Sequence, residues 1–149
     1  MAARLTIAAR ARAVLAVACA ALPALSLAAC GKTVSTGAFK GEQREVAQAI
    51  ANLQSDVTAG DAQKICSNDL AGARVARLNA APGGCKRVIK DQLAEIDSST
   101  VRVDSVALSG TGAQRTATAK VRSIVSGKTR ASTVSLVKEA GKWKISAVS

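Results

Sequence analysis

The chain has no histidine and no tyrosine, and 149 residues contain a single phenylalanine, Phe39, and a single tryptophan, Trp143. Each absence excludes something. Without histidine there is no Ser–His or Cys–His nucleophile and no imidazole base. Zinc chemistry also lacks its commonest ligand, and too few cysteines remain to replace it. Two aromatic rings are too few to stack a nucleic-acid strand, so nucleic acid is a poor partner. Neither a Walker loop nor a Gly-x-Gly-x-x-Gly fingerprint is present, and the Gly110 and Gly112 pair lies between two strand-like stretches. Acids are scarce as well: 10 Asp and Glu face 21 Lys and Arg, a formal net charge of +11. A core must therefore be made of Val, Ile, Leu and Ala.

What is present begins with a leader. Residues 1–12 carry Arg4, Arg10 and Arg12 and no acid, and residues 13–29 carry no charge. A basic segment followed by an apolar one and small exit residues is the pattern of an export signal. The run is short and Ala-rich for a membrane span, and Pro23 would kink one. Ser26 and Ala28 also suit ordinary secretory cleavage. Leu27-Ala28-Ala29-Cys30, at the end of this leader, resembles the bacterial lipobox. That resemblance implies cleavage before Cys30, lipidation of its thiol, and an anchor on the extracytoplasmic face of the cell membrane. Two or three acyl chains at about 0.8 kcal/mol per buried methylene hold such a protein stably.

Three units follow: a signal peptide over 1–29, a lipidated cysteine with a flexible tether over 30–41, and one domain over 42–149. Eleven Gly-, Ser- and Thr-rich tether residues would average about 17–20 Å end to end. Removing the leader takes three of the 21 basic residues and none of the acids, leaving a net charge of +8. Cys66 and Cys85 remain in the domain. In an oxidising compartment an even pair reads as a disulfide, with two buried thiols as the alternative.

Periodicity divides the domain in two. Val46, Ile50, Leu53 and Val57 recur at helical spacing within residues 42–59, and Gly60 stops them. Asp61 suits the cap of a short second helix ending at Cys66, and Asn68 or Asp69 that of a third. Cys85, Val88, Ile89, Leu93 and Ile96 form one stripe of a fourth. Beyond residue 99 the period becomes two. Val101 and Val103 are out of phase with Val106 and Leu108, which implies a bulge near Asp104-Ser105. Strands over 113–125, 129–138 and 142–148 follow, joined by short turns. Helices first and four strands after give an α+β fold with helices on one face of an antiparallel sheet.

Val134–Ile145, VSLVKEAGKWKI, resembles the closing hairpin of the nuclear transport factor 2-like superfamily, and Val57–Ala62, VTAGDA, resembles the end of its first helix. The resemblance spans residues 42–148. It implies a cone-shaped fold with a curved four-stranded sheet and a pocket, in which Val46, Ile50, Leu53, Val121, Trp143 and Ile145 are the candidate lining. It also implies a monomer or a sheet-mediated homodimer. SnoaL-like and ketosteroid isomerase-like members use an Asp or His base, with a Tyr in the isomerases. This chain lacks His and Tyr, and Asp61 and Asp69 read as caps, while Asp56, Asp97 and Asp104 stand out only as carboxylates. The expectation is a non-catalytic domain without cofactor or metal that binds a small apolar ligand or an envelope protein. A structural module acting through the sheet face is the alternative, and a SnoaL-like enzyme the remaining one. Lys120, Arg122, Lys142 and Lys144 fall on the outer phase of their strands, suited to anionic lipid or simply to solvent.

The anchor has a direct test. Cys30→Ala should release the protein from the membrane fraction and abolish the lipid mass on the mature chain. A variant that loses its leader, carries no lipid and still sediments with membranes would place the attachment elsewhere.

Overall fold

A computed structural model describes residues 34–96, 99–125 and 127–149. The export signal, Cys30, the first tether residues and Asp97 lie outside the described residues. Among those described, no helix is long and apolar enough to cross a membrane.

The first helix, α1, covers Gly41–Ala59 and buries Val46, Ala47 and Ile50. It ends because Gly60 takes φ 68°, a left-handed conformation that costs glycine little, and its N–H returns to Val57 O at 3.1 Å. Asp61 caps the short α2, Ala62–Lys64, by accepting from Lys64 N at 2.9 Å. The chain then widens into a π turn, Ile65–Asp69, closed by Leu70 N donating to Ile65 O at 3.1 Å.

Here the structure departs from the capping expected at Asn68 or Asp69. Leu70 bridges to Ile145, and Ala71 N donates to Ile145 O at 2.8 Å. This pairing pulls residues 70 and 71 extended, so α3 begins only at Gly72 and runs to Asn79. The helix α4, Gly84–Leu93, stops short of Ile96; Asn79 Oδ1 accepts from Cys85 N at 2.9 Å at its start.

The sheet is an antiparallel meander in the order β1-β2-β3-β4, with β1 at Ser99–Ser109, β2 at Thr116–Val125, β3 at Lys128–Glu139 and β4 at Lys142–Val148. The β1 register shifts between Val103 and Ser105, so Val103 and Val106 both face inward despite their odd spacing. A second shift falls at Ser135/Leu136 of β3. Ala113 and Gln114, expected in β2, belong instead to a 3-10 turn, Gly112–Gln114.

All helices pack on one face. Val46 and Ala47 of α1 meet Ala119, Leu136 and Ile145 in a continuous aliphatic core. That core also takes in Val34, while Phe39 packs against it, so the second half of the expected tether belongs to the domain. The Cys66–Cys85 disulfide is formed and joins the π turn to the first turn of α4. With 18 residues enclosed, its removal should cost about 3 kcal/mol. Urea denaturation of the Cys66→Ser/Cys85→Ser double variant should show that loss.

Candidate functional site

A groove of about 640 Å³ runs between the first half of α1, the end of the π turn and the start of β4. Arg44, Gln48 and Asn52 follow one another at four-residue steps along α1, a ridge that faces one side of it. Gln48 Nε2 donates to Asn52 Oδ1 at 3.0 Å. Asn68 and Asp69 come from the π turn, and Lys142 and Trp143 from β4. Arg44 and Lys142 form no ion pair among the described residues.

Two lining residues are nearly enclosed. Trp143 is 5 % exposed and Asp69 7 %. Each keeps a buried polar atom that no donor or acceptor satisfies: the Trp143 Nε1–H and Asp69 Oδ2. Leaving such a group unpaired costs about 1–3 kcal/mol. Trp143 is held in place by Lys138, whose ammonium stands 5.5 Å from the ring centroid. Lys138 in turn donates to Glu42 at 2.8 Å and Glu45 at 3.4 Å.

Burial pushes the Asp69 carboxyl up to about 7, helped by the neighbouring negative charge and hydrogen bond of Asp56 and by Asp61; Lys144 acts the other way. Asp69 is thus part protonated at neutral pH. The remaining acids behave differently. Hydrogen bonds from Lys138 and then Arg115 hold Glu42 below the usual range. Asp104 is lowered chiefly by Arg122, which donates to it at 2.7 and 2.8 Å. Asp61 is lowered by its cap bond from Lys64 N. The outer sheet face is therefore less freely basic than its sequence implies, because Arg122 is already engaged.

The site residues expected from the sequence separate sharply. Trp143 lines the groove, whereas Val46, Ile50, Val121 and Ile145 are core residues at 0, 3, 5 and 1 % exposure, and Leu53 is half-buried against them. Aliphatic side chains fill the interior where a pocket was expected, and the open volume lies at the rim. Asp69 was missed because an Asp ahead of a helix reads as a cap. The four-residue ridge from Arg44 to Asp56 was the available signal, carrying polar groups beside an apolar stripe.

A second groove, of about 630 Å³, is lined by Glu42, Arg115 and Lys138, which pair with one another. Its charges are mutually satisfied, unlike those of the first.

The fold defines an α+β domain with four helices on one face of a four-stranded antiparallel sheet. No protein-family model and no curated protein matches the chain. Among solved structures it is similar to "a putative dehydratase from the NTF2-like family from Streptomyces avermitilis", with 17% identity over 72% of this chain and 92% of that one, at a TM-score of 0.49. It is also similar to "a putative ketosteroid isomerase" from Shewanella frigidimarina NCIMB 400, with 13% identity over 70% and 92% of the two chains, at a TM-score of 0.46. The expectation of a non-catalytic domain is corrected: the missing His and Tyr do not leave this chain without an acid–base group, because Asp69 is buried and its carboxyl is pushed up to about 7.

The sign of the pH effect follows. Folded Asp69 keeps its proton to about pH 7, whereas the unfolded residue loses it near the ordinary value of 3.8. The native state therefore binds the extra proton between these limits, and stability falls as pH rises through that window. No histidine titrates there. Denaturant unfolding at pH 5 and pH 8 should show the native chain weaker at pH 8, and Asp69→Asn should remove most of that difference.

Proposed function

We propose that this chain binds a small polar molecule in the groove and exchanges a proton with it at Asp69, acting outside the cytoplasmic membrane on a lipid anchor at Cys30. The observation that carries the reading is the pair of unsatisfied buried groups, Trp143 Nε1–H and the Asp69 carboxyl, on the wall of one groove. Protonated Asp69 and the indole N–H are both donors. Together they suit a ligand oxygen that gains negative charge as the reaction proceeds. A carboxyl titrating near 7 can give a proton to that ligand and take one back with comparable ease. Arg44 and Lys142, which form no ion pair among the described residues, suit an anionic end of the same molecule. The ligand is thus polar rather than the apolar one expected from the sequence, and a small hydroxy- or oxo-carboxylate has the required parts. The anchor rests on the lipobox-like Leu27–Cys30 sequence.

Trp143 is the single tryptophan, so its fluorescence reports occupancy of the groove. Titration with a panel of two- to six-carbon hydroxy- and oxo-carboxylates should yield a saturable change for at least one member, weakened roughly tenfold by Arg44→Ala or Lys142→Ala. In D2O, that member should exchange a carbon-bound hydrogen next to its carbonyl, and Asp69→Asn should slow the exchange by about 100-fold or more. A panel with no binding member, or exchange indifferent to Asp69→Asn, sinks the reading.

A further inference from the structure

The proton chemistry of the groove uses Asp69 and Trp143, and its charged rim uses Arg44 and Lys142. Three more lining side chains are all carboxamides: Gln48, Asn52 and Asn68. The chain has only three asparagines. Asn79 accepts from Cys85 N at 2.9 Å, and the other two stand in this groove.

A carboxamide carries an acceptor oxygen and two donor hydrogens side by side. Gln48 Nε2 donates to Asn52 Oδ1 at 3.0 Å. That bond orients the two amides along α1. It leaves Gln48 Oε1 as an acceptor and Asn52 Nδ2 as a donor, neither with another protein partner among the described residues. Asn68 is exposed near the end of the π turn, and its side chain has no hydrogen bond among them either. Each hydroxyl of a polyol both donates and accepts, and neighbouring hydroxyls present the two functions together. Amides match that pattern, whereas a carboxylate only accepts and an ammonium only donates.

The spacing selects for length. From Arg44 to Asn52 the helix rises about 12 Å, eight residues at 1.5 Å each. A two- or three-carbon acid held at Arg44 leaves the amides unused and fills little of a groove of about 640 Å³. A chain or ring of several hydroxylated carbons extends along the row.

We propose that the ligand of the groove is a sugar acid, its carboxylate held by Arg44 and Lys142 and its hydroxyls read by Gln48, Asn52 and Asn68. This rests on the groove being the binding site, and it names the substrate class within the hydroxy- and oxo-carboxylates. Glu45, which accepts from Lys138 at 3.4 Å, sets a negative charge on the same wall and disfavours a second ligand carboxylate. Ala49 and Trp143 add apolar surface for the C–H groups of such a molecule. A fatty acid of equal length would strip water from the amides and offer them nothing in return.

The test ranks four probes by Trp143 fluorescence on the full chain: gluconate, glucuronate, lactate and hexanoate. At least one of the two sugar acids should bind about tenfold or more tighter than lactate and hexanoate. The double variant Gln48→Ala/Asn52→Ala should remove that margin and leave lactate binding within about twofold, whereas Arg44→Ala should weaken sugar acid and lactate alike. Gln48 and Asn52 are both exposed on α1, and alanine is the best helix former, so the variant keeps its fold. Lactate or any other carboxylate binding as tightly as the sugar acids, or a sugar-acid affinity unmoved by the double variant, overturns the assignment and leaves the groove reading standing. Hexanoate binding the tightest overturns it in favour of an apolar ligand. Absence of binding by every carboxylate tried removes the groove reading and this assignment together.

Discussion

The Cys66–Cys85 disulfide ties a π turn to α4, and the placement of Asp69 depends on that bond together with the pairing of Leu70 and Ala71 to Ile145. A π turn is rare on its own, its hydrogen bond spanning one more residue than those of the α-helix that leads into it. It persists here because one end is covalently held and the other is docked on β4. The result is a carboxyl pressed into the interior. Burial is costly for a charge, so Asp69 is pushed towards its protonated form.

The opposite end of α1 solves its electrostatics differently. Glu42 takes two cations, Arg115 from the chain entering β2 and Lys138 from β3, each only partly exposed. This joins the start of the helix to the sheet and sets Lys138 over Trp143. Trp143 thus stands between a satisfied ionic junction and an unsatisfied groove. The contrast marks where a ligand has work to do, because the polar groups on one side already have partners and those on the other do not.

Much of the fold was legible because hydrophobic periodicity reports burial directly. The stripe of Val46 and Ile50, the stop at Gly60, the bulge beside Asp104 and the pairing of Cys66 with Cys85 all follow from local pattern or simple counting. The site was not legible for the same reason. Val46, Ile50, Val121 and Ile145 looked like pocket lining since an inward apolar face is common to a cavity and a filled core. Nothing in spacing tells the two apart. Asp69 carried the signature of a helix cap, and only the long-range pairing of Ala71 with Ile145 converts that position into a buried one. Its neutral-range titration follows first from that burial and then from the negative charge of Asp56, thirteen positions away in sequence and brought near by the fold of α2 and the π turn.

Val34 belongs to the aliphatic core, and Phe39 packs beside it. An anchor at Cys30 would then be separated from a fixed point of the domain by four residue steps, a reach of at most about 14 Å. A leash that short does not let the domain roam or tumble. On the proposed anchor, the bilayer would be a wall beside the part of the domain that carries Val34. Whatever enters the groove would have to approach along directions that wall leaves open, so the anchor would act as a geometric filter as well as an address.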